Sequence, residues 1–528
     1  MKKYLLMNKW ENIINLLGII LVSLLSVTTA VLLTFSTNAI FKGNINLFIK
    51  WSTINLIAWL LLIIASHYQT VYQEKLIQKM NNQIREKLSC HIKNVAYSEY
   101  HKLTDGQYIS RYTSDINTIE NSGFKNFYSL VSSILNIIFS SVALLAYHYI
   151  LLIVIIVLAL IMIFLPNIFS GSLQKITILM SQENENYTSK IKDILGGFDV
   201  FFYAGRQIKI VSLIRQQSQA YANQKIAYVR RNSSISGVIG FLNIASQMSV
   251  DLTTGFLAII GVVEFGAIST TGNLASTIFN SLANLSNQIM QVKSTAAIFD
   301  KFKFEENYAE KEVVNNMVFS SKIEIKNLSY SYGKKDVLKK VNMTIEHGKK
   351  YALIGESGSG KSTLLKILAG QITDYTGNIY IDGVNIKELQ KKALTSNIQY
   401  IDQTVYLFND SIKNNLTLWN EVGTEKIKQV IKKAKIDFIE SINDFVSENG
   451  RNFSGGQKQR MALARGFLEE KKIILMDEGT SSLDEETASV IENSLLEDKS
   501  STLLMVTHKL NDLSKVNFDS ILNINELQ

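Results

Sequence analysis

Four long windows that are free, or nearly free, of Asp, Glu, Lys and Arg occupy most of the first three hundred of the 528 residues. They run over 12–41, 51–73, 126–174 and 232–292, and only Asp251 and Glu264 interrupt the last. A bilayer core offers no water to an unpaired backbone group, so apolar stretches of this length are predicted to be helices. A helix needs about 20 mainly apolar residues to cross. The first two windows therefore hold one span each and the last two a pair each, which makes six.

The charges between the windows give the orientation. Lys and Arg crowd 1–10, 74–125 and 175–231, whereas the segments near Tyr147 and over 264–272 carry none. By the positive-inside rule the crowded segments face the cytoplasm, and both termini lie inside. Lys42 and Lys50, in the first outer loop, are mild exceptions. The formal net charge of +8 thus records topology and not nucleic-acid binding. Cys90 is the single cysteine, which excludes an intramolecular disulfide and a Cys-rich metal site. The basic start followed by apolar residues resembles a signal peptide, but the apolar stretch is too long and no small-residue cleavage site follows. It reads as a retained first helix. Abundant Lys, Asn and Ile with one Pro points to an AT-rich bacterial genome.

Each inner loop exceeds fifty residues, too long for structureless connections in a compact protein. As helical hairpins with arms of roughly 25 residues, each loop would reach nearly 40 Å from the membrane. Their bends are expected near 99–106 and 194–202. The last two spans are the most polar. Asn243, Ser246, Gln247, Asp251, Thr253 and Thr254 fall in the fifth, and Asn280, Asn284, Asn287, Gln288 and Gln291 in the sixth. Asn280, Asn284, Asn287 and Gln291 recur at three- and four-residue spacing and share one helix face. Asp251, Gln247, Asn284, Asn287 and Gln291 are candidates for lining a substrate pathway. The other reading is hydrogen bonding between packed helices.

Three regions follow: a membrane domain over 1–300, a linker over 301–321 and a soluble α/β domain over 322–528. Alternation begins at Lys322-Ile323-Glu324-Ile325-Lys326, the pattern of a half-buried strand. Further on, Tyr351-Ala352-Leu353-Ile354 reads as a buried strand and Leu364 to Ala369 as a helix. Between them stands Gly355-Glu356-Ser357-Gly358-Ser359-Gly360-Lys361-Ser362-Thr363. That is a P-loop: its glycines let successive N–H groups face one concavity, Lys361 reaches the outer phosphates and the Ser362 hydroxyl serves Mg2+. Downstream, Ile473-Ile474-Leu475-Met476 delivers Asp477 and Glu478 at a strand end. The first can hold Mg2+ through water, and the second can orient or deprotonate an attacking water.

Phe453-Ser454-Gly455-Gly456-Gln457 resembles the signature motif of ATP-binding cassette proteins, and 477–484, ending at Asp484, resembles their Walker B and D-loop. Gln403 matches the Q-loop, His508 the switch histidine and Tyr332 the aromatic that stacks on adenine. The segments 101–115 and 194–206 are similar to the two intracellular loops of the family's exporters. The resemblance implies a half-transporter, one six-helix membrane domain fused to one nucleotide-binding domain, working in the bacterial plasma membrane as a homodimer or a heterodimer with a second half. It implies that Tyr332 stacks on adenine and that Gly355, Glu356, Ser357, Gly358, Ser359, Gly360, Lys361, Ser362 and Thr363 hold the phosphates of ATP. Ser362, Gln403 and Asp477 would serve Mg2+, Glu478 would be the base and His508 would sense the γ-phosphate. Ser454, Gly455, Gly456 and Gln457, with Asp484, would complete the opposite subunit's site.

Phe453, Asp402 and Gly479 depart from the family's usual leucine, proline and alanine, and none is a catalytic position. The stretch between Gln403 and Ser454 is a few residues short, and most of the family is expected to continue beyond the position of Gln528 with another strand and helix. No peptidase domain precedes the first span, so cleavage of a leader is not expected. The implied activity is ATP-driven export of an amphipathic or peptide-like compound by alternating access. The alternatives are uptake on the same architecture and a regulatory membrane ATPase that moves nothing.

Overall fold

A computed structural model describes residues 1–302, 318–389, 391–480, 482–507 and 517–528. The chain forms two compact units, one of 1–91 with 105–304 and one of 92–104 with 305–528. Most of the expected linker lies outside the described residues.

Long helices build the first unit: α1 Lys9–Phe41, α2 Ile45–Asn94, α3 Asp105–Tyr147, α4 Tyr149–Gly196, α5 Ile208–Ile259 and α6 Ala267–Asp300. Of these, α1, α2, α3 and α5 are long and apolar enough to cross a membrane. Among the described residues α4 contributes a shorter apolar stretch, Tyr149–Met162, and the polar residues of the expected sixth span leave α6 below that level of apolarity. The short connections between the long helices are tight. Between α3 and α4 the extended residue His148 alone turns the chain, its Nδ1 accepting from Ile150 N at 3.3 Å. Both long charged loops are interrupted helices, with short helices Tyr97–Tyr100 and Phe198–Tyr203 at the expected bends.

Hydroxyl groups tie the helices together where lipid offers no other partner. The Thr34 hydroxyl on α1 meets those of Tyr147 at 2.7 Å and Thr270 at 2.6 Å, and Thr271 donates to Thr254 at 2.9 Å. Around them Leu144, Leu151, Val250, Leu257, Leu274, Ile278 and Phe279 pack as one apolar cluster. α3 widens into π-helical turns at Arg111–Asp115 and Ile119–Lys125. Glu120 there accepts from Gln78 at 2.9 Å, Asn81 at 2.7 Å and Lys125 at 2.8 Å, which joins α3 to α2.

The second unit holds two sheets. Its elements are β1 Lys322–Tyr332, β2 Lys335–Glu346, β3 Lys350–Ile354, α7 Lys361–Leu368, β4 Thr376–Ile381, β5 Val384–Asn385, β6 Ile398–Ile401, α8 Ile412–Thr417, α9 Thr424–Lys433, α10 Gly455–Glu469, β7 Ile473–Asp477, α11 Glu485–Leu496, β8 Thr502–Val506 and β9 Ser520–Asn523. One sheet is antiparallel in the order β2-β1-β4-β5, and the other is parallel in the order β6-β7-β8-β3-β9. Every residue of β7 and β8 is buried, so these strands read as unbroken apolar runs and not as alternation. In β1 one face is buried, which is why its sequence alternates.

Candidate active site

A parallel sheet sends the carboxyl ends of all its strands to one edge, and ligands bind there. β3 runs into Gly355, β6 into Gln403, β7 into Asp477 and Glu478, and β8 into Thr507. His508 lies outside the described residues.

The loop after β3 is shaped by glycines that no other residue could replace without strain. Gly355, Gly358 and Gly360 have φ of 152°, 82° and 99°. A Cβ on Gly360 would lie 2.7 Å from Leu338 Cδ2 and 2.9 Å from the Val337 carbonyl oxygen. The backbone must therefore close here, and α7 begins with its N–H groups facing the loop. Lys361 is buried and donates to the carbonyls of Gly355 and Glu356, both at 2.8 Å. The ammonium is thus drawn back over the loop. Ser359 N donates to Glu356 O at 3.2 Å, and the buried Ser359 hydroxyl has no partner among the described residues. Ser357 is exposed and Thr363 buried.

Ser362 Oγ donates to Asp477 Oδ1 at 3.0 Å, and Tyr400 Oη donates to Oδ2 at 3.4 Å. Burial raises the Asp477 pKa against the pull of the Ser362 bond, and the charges of Asp402 and Glu478 act in the same upward sense. Burial, then the Asp477 charge, also raises that of Tyr400, which keeps its hydroxyl a donor. Glu478 takes a left-handed backbone, φ 51°, and its Oε2 accepts from Gln403 Nε2 at 2.9 Å. A non-glycine residue held at such an angle marks a position that the surrounding fold over-determines.

No group of three or more His, Cys, Asp or Glu side chains suited to a metal stands among the described residues. Mg2+ is usually held by one or two carboxylates with substrate phosphates, and not by an all-protein cage. A hydroxyl and a carboxylate already in contact, an amide close by and an unpartnered hydroxyl in the glycine loop form a donor set that fits a magnesium–triphosphate.

The signature residues form a helix cap. Ser454 is the N-cap of α10; its hydroxyl accepts from Gln457 N at 3.3 Å while Gln457 Oε1 accepts from Ser454 N at 2.8 Å. Gly455 and Gly456 lie beneath Ser482: a Cβ on Gly456 would stand 2.9 Å from the Ser482 carbonyl oxygen. Asp484 caps α11 and accepts from Thr487 N at 2.9 Å, a bond that holds its pKa down. Tyr332 is half exposed at the end of β1, edge-on to Tyr330. The structure thus brings the glycine loop, Gln403, Asp477 and Glu478 together, and it places the signature residues against the 482–484 segment.

Three positioning residues escape sequence reading. Gln459, 3% exposed, accepts from Ser482 N at 3.0 Å and donates to the Glu478 carbonyl at 3.5 Å. Tyr400 is the second partner of Asp477. Arg465 donates to the Asn415 carbonyl at 2.6 Å and the Tyr406 carbonyl at 2.7 Å, and burial lowers its pKa to about 10. Only their side-chain bonds across distant segments reveal them.

In the membrane unit the polar face of α6 divides. Gln288 donates to Ser129 at 2.8 Å and Gln291 accepts from Asn126, so both serve helix packing. Asn280, Asn284 and Asn287 are exposed, and Asn280 accepts from Asn243 at 2.6 Å. Gln247 and Asp251 are half-buried on α5.

Two family models match the chain: the ABC transporter transmembrane region over residues 13–282 and the ABC transporter over 338–481. It is 26% identical over 493 residues to an ATP-dependent lipid A-core flippase of Photorhabdus laumondii, covering 90% of this chain and 84% of the relative. It is 32% identical over 320 residues to the protein of that name in Francisella tularensis, and there it spans 56% of this chain and about half, 52%, of the relative. A third, from Escherichia coli, is 26% identical over 446 residues, with 82% and 76% covered. The fold is shared with the solved structure of a bacterial Atm1-family ABC exporter with ATP bound, at a TM-score of 0.81 and 18% identity over 96% of this chain and 93% of that one.

Proposed function

Because the chain belongs to the ABC transporter family, joining that family's transmembrane region to its ATPase cassette, we propose that it hydrolyses ATP to export an amphipathic, lipid-like or peptide-like compound through a bacterial plasma membrane. Both termini and the cassette would lie in the cytoplasm. The named relatives move a lipid, which supports an amphipathic cargo. One observation carries the reading: the Ser362–Asp477 and Gln403–Glu478 bonds meet beside the glycine loop, where a magnesium–triphosphate would be received.

In this reading Ser362, Gln403 and Asp477 would hold Mg2+, which would supply charge neutralisation at the phosphates. Lys361 leaves its backbone carbonyls for phosphate oxygen, Tyr332 stacks on adenine and Glu478 accepts the proton of the attacking water. The capped start of α10 presents Ser454, Gly455 and Gly456 to the nucleotide of a second half-transporter, a copy of this chain or another. ATP then binds the closed pair more tightly than the open one, and hydrolysis reverses that preference. The domain division proposed here keeps 1–300, 301–321 and 322–528, although the short helix Tyr97–Tyr100 packs in the cassette's compact unit.

The test is Glu478→Gln. It keeps the phosphate cradle and loses the base, so ATP binding persists while phosphate release slows at least about a hundredfold. Turnover near that of the wild type removes Glu478 from this role.

A further inference from the structure

Within the four apolar windows the chain has no Lys or Arg and two acidic residues. Their circumstances differ. Glu264 lies in the connection between α5 and α6, where Lys42 Nζ stands 3.7 Å away and the Asn38 amide donates to it. Asp251 lies eight residues before the end of α5, about 12 Å along the helix axis and inside a hydrocarbon layer of about 30 Å.

Asp251 Oδ1 is buried with no hydrogen-bond partner among the described residues. It is accommodated by a missing side chain: a Cβ on Gly272 of α6 would lie 2.4 Å from this oxygen. Beside it, Met248, Leu252, Gly255, Phe256 and Ile259 line, with Asp251, a shallow open recess of about 420 Å³ along one face of α5. Met248, Leu252, Phe256 and Ile259 are all well exposed. A carboxylate at this depth is costly unless a cation or hydrogen-bond donor meets it. A second copy of the chain would bring a second Asp251 and no Lys or Arg in its spans.

We propose that Asp251 and the apolar stripe of α5 recognise a cationic amphipathic substrate, the carboxylate taking the positive group and Met248, Leu252 and Phe256 the apolar body. This deepens the export reading above by naming the class of cargo. Charge complementarity selects the cation: the windows hold no Lys or Arg, and the Asp251 carboxyl, whose Oδ1 has no hydrogen-bond partner among the described residues, borders an exposed apolar stripe.

The test is equilibrium binding of tetraphenylphosphonium to the full chain in lipid nanodiscs, with tetraphenylborate as the anion of the same shape. No nucleotide is present, so the outcome is independent of whether the cassette turns over ATP. The expected result is saturable phosphonium binding that weakens at least about tenfold in Asp251→Asn and stays within about threefold in Asp251→Glu. Phe256→Ala, which leaves the charge, weakens it several-fold, and borate shows no saturable binding that depends on Asp251. The proposal is overturned if monodisperse Asp251→Asn binds phosphonium as the wild type does. It also fails if Asp251→Glu loses binding as fully as Asp251→Asn, or if borate shows the same dependence on Asp251.

Discussion

Gln403 Nε2 stands 2.9 Å from Glu478 Oε2, so the second side chain past β6 and the first past β7 hold each other across neighbouring parallel strands. Glu478 has a left-handed backbone angle, and Gln403 fixes where its carboxylate points. Removing the amide frees that carboxylate to rotate. Gln403→Ala is expected to lower the maximal ATPase rate by about ten- to a hundredfold, because a misplaced catalytic group loses rate much faster than affinity. Steady-state phosphate release set beside ATP binding at equilibrium checks it; parallel losses in both would place Gln403 with the binding groups alone.

Gly456→Ala tests the close approach of α10 to the 482–484 segment. Alanine normally favours a helix over glycine by about 1 kcal/mol, but here its methyl would meet the Ser482 carbonyl at 2.9 Å. The expected outcome is a fall in ATPase of at least about tenfold with ATP still bound, since one helix start is displaced while the glycine loop is untouched. Nucleotide binding and turnover measured on the same preparation decide it.

Gln459→Leu removes both bonds of a buried amide and leaves the Ser482 N–H without its partner. Losing an ordinary hydrogen bond costs about 0.5–1.5 kcal/mol, and each kcal/mol lowers the midpoint by roughly 2–4 °C for a unit of this size. Thermal unfolding of the full chain should show that fall, with ATPase lost to a greater degree than stability. A variant as stable and active as the wild type would reduce Gln459 to a spectator.

Asp382 gives a pH dependence. Burial alone would raise its pKa, but backbone N–H groups of Ser320, Lys322 and Ser321 at 2.6, 2.8 and 2.9 Å, with the Ser320 hydroxyl, hold it below the usual carboxylate range. The folded state therefore prefers the anion. Its contribution is complete above the unfolded value of about 4 and is lost as pH falls through the lower folded value. Asp382→Asn should be less stable than the wild type at pH 7, and the gap should narrow at pH 3. Unfolding midpoints at the two pH values check it, and a gap that widens in acid reverses the sign.

The glycine loop, the acidic strand end and the helix cap at Ser454 were legible because each is a local run whose spacing carries its own physics. Gly360 must be glycine for a reason that lies within a few residues of chain geometry. Gln459, Tyr400 and Arg465 carry no such mark, for their partners lie across the fold and any polar residue would look the same in a list. The polar face of α6 is the intermediate case. Periodicity placed Asn280, Asn284, Asn287 and Gln291 together, yet only packing against α3 separates Gln291, which Asn126 holds, from the three exposed asparagines. Asp251 was visible as an oddity of composition, whereas the slot opened by Gly272 was not.

One amide at Gln459 grips both the strand end that carries Glu478 and the turn that precedes α11. In a pair of cassettes sharing two nucleotides, each chain would touch one through its glycine loop and the other through the start of α10. In that proposed pair the grip would join the two contacts as parts of a single lever, and spending either nucleotide would tug on the surface that clasps its neighbour.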